Sequence, residues 1–337
     1  MTLSPTVKQV AAVLTVVVPL FVPEVVLSFT PFHADAAMVM AGMLPTVLAW
    51  MFAPRYAAGA AVLAALANTL AVLAFGNLAL TALLAGALAL LVGLSARRGL
   101  HIVGMFIAVQ PLITLVAGFP TVELGGQTPG TGGQAVLCGV FALGGGLWAL
   151  AVGALMLRDE VVGPPDPVPV PIVGFYTAAL LLMLVPGTVV AASWFLHTTA
   201  GWLLATIVLV TRPTYDESRR MIVERSLGTV VGGLAAAGVA LVVQNGLALV
   251  LLGTAAMVVA AVLQLMHARY AYFAGFLTAA LVLVNAERAD VLTTGAERIL
   301  WTVLGALAVA AVVTTAEALL GRHSDRAAEA APSRATS

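Results

Sequence analysis

The chain has few charged residues for its length. Only 9% of its 337 residues are Asp, Glu, Lys or Arg, whereas 61% are hydrophobic. Because soluble domains are typically about a quarter charged, this composition excludes an ordinary soluble globular protein. The formal net charge is zero, so the chain lacks the excess positive charge that attracts nucleic acids. We therefore expect no nucleic-acid partner.

Cysteine and metal-binding patterns are also scarce. Cys138 is the single cysteine, so no disulfide can form within the chain, and its place in an apolar run predicts a small core residue. The 5 histidines show no metal-ligand spacing, and no glycine loop suits a phosphate. No arrangement of nucleophile, base and acid is recognisable. We therefore expect no metal, no cofactor and no catalytic residues, and a protein that is not an enzyme.

Long apolar runs fill most of the sequence instead. Such runs can cross a bilayer as helices, and helices are expected because backbone groups in lipid must pair within their own segment. The sequence predicts an all-α fold, namely a polytopic helical membrane protein with about 12 transmembrane helices. The apolar runs lie near residues 7–28, 36–53, 56–75, 77–94, 100–118, 134–156, 172–194, 199–211, 226–243, 246–266, 270–285 and 298–320.

The basic residues are distributed asymmetrically around these runs. If the N-terminus lies in the cytoplasm, 13 of the 15 Lys and Arg residues fall on the inner side, and only Arg288 and Arg298 fall outside. An excess of positive charge on the cytoplasmic side is the usual orientation of membrane proteins. The sequence therefore predicts a multi-pass protein of the cell inner (plasma) membrane with both termini in the cytoplasm.

A proline-rich segment divides the chain near its midpoint. Residues 159–171 read DEVVGPPDPVPVP, which predicts a semi-rigid cytoplasmic linker. It separates an N-terminal half at 1–158 from a C-terminal half at 172–321, each with six expected helices. Matches between the halves at an offset of 169 residues predict that the first half is a degenerate repeat of the second. Residues 322–337 lack a core pattern, so we expect a disordered cytoplasmic tail.

One phrase of the sequence occurs twice. Residues 224–235 read ERSLGTVVGGLA, and residues 297–308 read ERILWTVLGALA. In each copy Arg, Thr and Gly recur at spacings of four and three, which places them on one face of a helix. Such a stripe offers a guanidinium at the end of the helix, a hydroxyl one turn deeper and then bare backbone, and a carboxylate can bind the guanidinium through two hydrogen bonds. The stripes consist of Arg225, Thr229 and Gly232, and of Arg298, Thr302 and Gly305.

A purely structural interpretation of these stripes stays open. Arg225 lies on the side where arginine is expected, so it can serve as a headgroup anchor, and the glycines can let helices pack closely. Arg298 lies on the outer side in the predicted topology, which favours a functional role. Because the two helices run in opposite directions there, we expect the two arginines at opposite ends of the bundle.

Glu24 is a further candidate, near the outer end of the first apolar run. A carboxylate within a membrane segment can carry protons and couple transport to a pH gradient. The alternative is that it lies among solvated headgroups.

The second half of the chain resembles a known family. Residues 201–213 read GWLLATIVLVTRP, residues 225–232 read RSLGTVVG, and Arg298 begins a similar pattern. Over about residues 195–320 the sequence is similar to the membrane transporter domain of the fusaric acid resistance (FUSC) superfamily, which includes bacterial aromatic acid exporters. The resemblance implies a six-helix unit, present twice, and export of organic, often aromatic, acids. It adds Gly228 to the candidate substrate-binding residues.

The sequence thus predicts an inner-membrane transporter that exports organic, aromatic or other carboxylic anions. The expected partners are a small organic anion and the lipid bilayer, and a homo-oligomer stays open. The alternative function is a non-transporting membrane scaffold of an envelope assembly. The candidate substrate-binding residues are Arg298, Arg225, Thr302, Thr229, Gly305, Gly232 and Gly228, and the candidate for proton coupling is Glu24.

Overall fold

The structure is a computed structural model that describes residues 5–28, 30, 32, 36–123, 127–157, 161–266, 268–284 and 291–330. The described residues form twelve α-helices. They are α1 (Pro5–Ser28), α2 (Ala36–Phe52), α3 (Ala57–Ala74), α4 (Leu78–Ser95), α5 (His101–Ala117), α6 (Thr131–Met156), α7 (Val170–Trp194), α8 (Gly201–Val210), α9 (Tyr215–Val242), α10 (Gly246–Leu265), α11 (Tyr270–Val284) and α12 (Val291–Ala330). Arg288 lies outside the described residues.

Seven of these helices are long and apolar enough to cross a bilayer, namely α3, α4, α6, α7, α9, α10 and α12. The apolar parts of α1, α2, α5, α8 and α11 are shorter, with 10–17 residues each. The prediction of a helical, multi-pass membrane protein is confirmed. The number of twelve spans stays a prediction, because the shorter helices fall below the roughly 20 residues that usually cross a hydrocarbon core.

The helix ends gather at two opposite sides of the bundle. At one side, the Phe75 ring after α3 contacts the Phe119 ring after α5 and the His197 ring after α7. At the other side, residues 161–169 connect α6 to α7 without helical structure. Three backbone N–H groups of this connection donate hydrogen bonds to carbonyl groups. Those of Val162 and Gly163 bond to Met51 near the end of α2, and that of Val168 bonds to Ala96 just after α4. Successive helices therefore alternate in direction where these contacts join them.

Helix packing partners recur at an offset of six helices. In the first half, α2 packs against α1, α3 and α6, while α5 packs against α3 and α4. In the second half, α8 packs against α7, α9 and α12, while α11 packs against α9 and α10. Contacts of α4 with α7, of α5 with α8 and of α1 with α10 join the two sets.

The helix α8 is the shortest of the bundle. Its 10 residues extend about 15 Å, which is half of a hydrocarbon core of about 30 Å. It begins at Gly201, after a non-helical segment and within two residues of the apolar run at 199–211. Eight of its ten residues are buried, because α5, α7, α9 and α12 pack around it. Interrupted helices at membrane depth are tolerated where protein surrounds them, as it does here.

Two helices begin earlier than the apolar runs indicate. The helix α9 begins at Tyr215 and not near 226, and α12 begins at Val291 and not near 298. Hydropathy marks only the apolar part of a helix, whereas Glu, Arg and Met also favour helical structure. Arg225 consequently lies 10 residues into α9 and Arg298 lies 7 residues into α12. The expectation that both arginines stand at helix ends is wrong.

The last helix also ends later than expected. The helix α12 continues to Ala330, so residues 322–330 are helical and the prediction of a disordered tail from 322 onwards is wrong for them. Ala, Arg and Glu, which are abundant there, are strong helix formers even without a core pattern. Residues 331–337 lie outside the described part.

Candidate functional site

Both motif arginines are buried inside the second half. The exposed fraction is 1% for Arg225 and 5% for Arg298. A headgroup anchor keeps its charged end in contact with water or headgroups, so these two side chains do not have the environment of an anchor. Arg225 contacts Tyr270 at the start of α11, and Arg298 contacts Trp202 at the start of α8. The expectation that the two arginines lie at opposite ends of the bundle stays a prediction.

The Arg225 guanidinium lies between α9 and α11. Its Nη1 donates a hydrogen bond of 3.3 Å to the hydroxyl oxygen of Tyr270, and its Nε has no partner among the described residues. The carboxylate of the neighbouring Glu224 pairs with Arg220 at 3.6 Å, and among the described residues it forms no ion pair with Arg225. A phenol hydroxyl is thus the partner of this buried cation, where a carboxylate is the usual one.

The Arg298 guanidinium lies between α12 and α8. Its Cζ stands 3.7 Å from the centroid of the Trp202 indole ring, a cation–π contact. Glu297 precedes it in sequence, but its carboxylate accepts a hydrogen bond from the hydroxyl of Thr199. In the described part of the chain, the ion pairs join Arg219 with Glu317 and Arg220 with Glu224, so neither buried arginine takes part in one.

This arrangement is energetically unusual. Burial of a charge without a counterion carries a penalty of several kcal/mol after relaxation, and buried arginines are normally paired. The guanidinium groups of Arg225 and Arg298 are held by Tyr270 and Trp202 and keep donor capacity for a further partner. An anion that reaches them would supply the missing negative charge. The arrangement is therefore suited to binding an anion.

The threonines of the two stripes are buried as well. The hydroxyl oxygens of Thr229 in α9 and Thr278 in α11 lie 3.5 Å apart, and Thr302 in α12 is 2% exposed. Sequence reasoning missed two further residues in α8. They are Trp202, which covers Arg298, and Thr206, whose fully buried hydroxyl has no hydrogen-bond partner. Their spacing of four on one helix was the available indication.

The glycines of the stripes lie in helix–helix contacts. A methyl group at Gly232 would overlap the carbonyl group of Gly275, and one at Gly228 would overlap the carbonyl oxygen of Ala271, so α9 and α11 touch through bare backbone. At Gly305 it would lie 2.8 Å from the carbonyl oxygen of Leu203 in α8. These positions require glycine for close packing, which favours the structural interpretation for them. Their role in substrate binding stays a prediction.

Glu24 and an apolar cavity belong to other parts of the bundle than the arginines. Glu24 belongs to α1, which packs against α2, α6 and α10. A cavity of about 110 Å³ lies between α1, α2, α5, α10 and α11. Its lining is apolar apart from Gln264, and includes Phe21, Met43 and Phe273. Neither arginine reaches it. Among the described residues, no group of three or more His, Cys, Asp or Glu side chains could hold a metal ion.

Comparison with known proteins identifies the segment that contains this site. The sequence profile of the family described as "Fusaric acid resistance protein-like" matches residues 187–313. The matched range includes the four helices from α8 to α11 and both arginines. No curated protein and no solved structure matches the chain. The resemblance deduced from the sequence motifs is confirmed, because residues 187–313 are similar to the fusaric acid resistance protein-like family.

Proposed function

We propose that the protein is a transporter that exports organic anions across a bacterial inner membrane, with α9 and α12 along the pathway. The observation that carries the proposal is the burial of Arg225 and Arg298 without a carboxylate partner among the described residues. In a membrane segment, a buried cation is a costly feature that usually marks a substrate pathway. The family domain around both residues supports a transporter rather than an enzyme.

The proposed substrates are aromatic or other carboxylic acids. A planar carboxylate matches the paired N–H groups of a guanidinium. The buried hydroxyls of Thr229 and Thr302 provide further hydrogen bonds near the arginines, and Gly228, Gly232 and Gly305 let the helices carry these groups close together. The class of aromatic acids follows from the resemblance to bacterial aromatic acid exporters.

We also propose twelve spans with both termini in the cytoplasm. The alternation of helix ends between two sides of the bundle supports this topology. The distribution of basic residues assigns the side with the connection at 161–169 to the cytoplasm. The recurrence of packing partners at an offset of six helices supports a repeat in which an even number of helices per half gives two halves of parallel orientation.

The test is flux of radiolabelled benzoate and hexanoate in proteoliposomes that contain the purified protein. We expect saturable flux that falls at least about tenfold in Arg298→Ala, because a charge-assisted hydrogen bond in a buried site is strong, and that is partly kept in Arg298→Lys. Arg219→Ala is the matched control, since this arginine of α9 has a side chain that is 60% exposed. Unchanged flux in a folded Arg298→Ala protein would contradict the role of Arg298.

Proton coupling through Glu24 is a separate proposal. If its carboxylate carries protons, Glu24→Gln should transport benzoate at the same rate with and without an imposed pH gradient, whereas the wild-type rate should depend on the gradient. Equal gradient dependence in both proteins would remove Glu24 from the mechanism and leave the anion pathway untouched.

The close helix contacts at Gly232 and Gly305 favour one alternative, a membrane scaffold of an envelope assembly that does not transport. A scaffold requires rigid packing but no free cations. It predicts no flux of any carboxylate by folded wild-type protein, and normal assembly of the Arg298→Ala variant with its partners. The flux experiment therefore separates the two functions.

A further inference from the structure

We propose that α8 completes the anion site with two residues, in which Trp202 positions the Arg298 guanidinium and Thr206 donates a hydrogen bond to the bound carboxylate. The inference rests on the proposed function and deepens it, because it names the residues of α8 that would line the anion site opposite α12. The site lies at the interface of α8 and α12, with Trp202 and Arg298 at one end and Thr206 and Gly305 at the other.

Trp202 stabilises the buried Arg298 guanidinium without occupying its hydrogen-bond donors. Its indole ring covers one face of the guanidinium at 3.7 Å. The attraction between a cation and an aromatic face does not use the N–H groups, which point outward in the plane of the guanidinium. A carboxylate in the same place would occupy those donors and compete with the substrate. The indole therefore stabilises Arg298 and leaves its hydrogen-bonding edge available.

Thr206 is the second observation that indicates a ligand. Its side chain is fully buried, and its hydroxyl has no hydrogen-bond partner. Buried hydroxyls are nearly always paired. Thr206 follows Trp202 by four residues, about 6 Å along the same face of α8. Its Cβ and its Cγ2 methyl would lie 3.0 Å and 3.3 Å from a methyl group at Gly305, so the side chain packs against α12, the helix that bears Arg298 and Thr302, while its hydroxyl keeps no partner.

The environment of α8 suits this role. It is a short helix enclosed by α5, α7, α9 and α12, so its side chains face protein and not lipid. Helices interrupted at membrane depth are a common way to bring polar groups to a transport site. The first residues of α8 meet the part of α12 around Arg298, and Glu297 of α12 is bonded to Thr199 just before α8. The two helices are thus held together at the end where the cation lies.

The first experiment replaces the hydroxyl of Thr206 while keeping its shape. We expect Thr206→Val to keep or raise the melting temperature of the anion-free protein, because it removes an unpaired buried polar group. We expect the same variant to lose the stabilisation by benzoate and to raise the benzoate KM roughly tenfold with unchanged maximal flux. Thr206→Ser should behave as the wild type.

Thr188 of α7 provides the matched control, since its buried hydroxyl also has no partner but lies on a different helix. Thr188→Val should leave the benzoate-induced shift unchanged. If Thr206→Val responds to benzoate as the wild type does, the assignment of Thr206 is overturned while the proposed function stands. If neither benzoate nor hexanoate stabilises or crosses with the wild-type protein, the proposed function fails and this inference fails with it.

The second experiment tests Trp202 by a double-mutant cycle with Arg298→Met. We expect Trp202→Leu to raise the benzoate KM about tenfold and Trp202→Phe to raise it about threefold, since phenyl attracts cations less than indole. The loss of melting temperature in Trp202→Leu should largely disappear in the Arg298→Met background, because the cation is then absent. Equal losses in both backgrounds, or equal KM values for the Leu and Phe variants, would show that Trp202 only fills space.

Discussion

The first six helices and the last six helices pack alike but bury different polar groups. In the part of the chain that the structure describes, the buried charged residues are Arg225 and Arg298, and both belong to the second half. The buried polar residues of the first half are Thr, Asn, Gln and one histidine. Several of their side chains form hydrogen bonds with nearby backbone groups. Asn68 donates to the carbonyl oxygen of Ala64 at 2.8 Å, and Gln134 exchanges two hydrogen bonds with the backbone of Val122.

This difference separates what the fold requires from what it tolerates. Because α2, α3, α5 and α6 assume their packing pattern without a buried arginine, the same pattern in α8, α9, α11 and α12 does not need one. Replacement of buried charges by apolar groups is often neutral or stabilising. This contrast supports the proposed role of the two arginines, whereas the glycine contacts, which occur in both halves, are best explained by packing.

The largest effect is expected when a glycine contact is filled in either half. Gly42 faces the backbone of Ala142, and Gly232 faces the backbone of Gly275. Gly42→Val and Gly232→Val should each lower the free energy of unfolding by about 3 kcal/mol or more, because a side chain cannot fit without separating two helices. The loss is measurable by thermal unfolding in detergent. Gly238→Ala is the control, since Gly238 has open space around it. A tolerated Gly232→Val would show that the second half is packed loosely.

A smaller effect on stability, but a large one on flux, is expected when a buried arginine is made apolar. Arg225→Met should keep or raise the melting temperature, because it removes a buried charge whose Nε has no partner. It should reduce benzoate flux by about tenfold or more.

The contrasting variant is Gln134→Leu in the first half, which should lower the free energy of unfolding by about 1–3 kcal/mol because it leaves backbone groups of Val122 unpaired. Unfolding of Arg225→Met would indicate that the arginine supports the fold.

The sequence predicts the helices well but not the environment of the site. Apolar runs fall within a few residues of most helix bounds, since lipid imposes both composition and length. They miss the polar first turns of α9 and α12, where helix formation does not depend on hydropathy. The stripe spacing identifies Arg225 and Arg298, but Trp202 lies almost one hundred residues from Arg298 in sequence. Only the packing of α8 against α12 reveals that it is the partner of this cation.

The smallest effect concerns a feature that the two halves share, the asparagine at the start of α4 and of α10. The side chain of Asn77 accepts a hydrogen bond of 3.1 Å from the backbone N–H of Leu80, and that of Asn245 accepts one of 3.0 Å from Ala248. Asn77→Ala and Asn245→Ala should each lower the free energy of unfolding by about 1 kcal/mol, because one free N–H group of the first turn loses its partner. The Asp variants should restore it.

The two losses should add in the double variant, since the caps lie on different helices and share no partner. Benzoate flux should not change in any of these proteins. Each asparagine bonds to the first turn of its own helix, and neither of these helices bears Arg225 or Arg298. A loss in one half without a loss in the other would mean that α4 and α10 begin by different means, and it would weaken the case that the halves arose as copies of one unit.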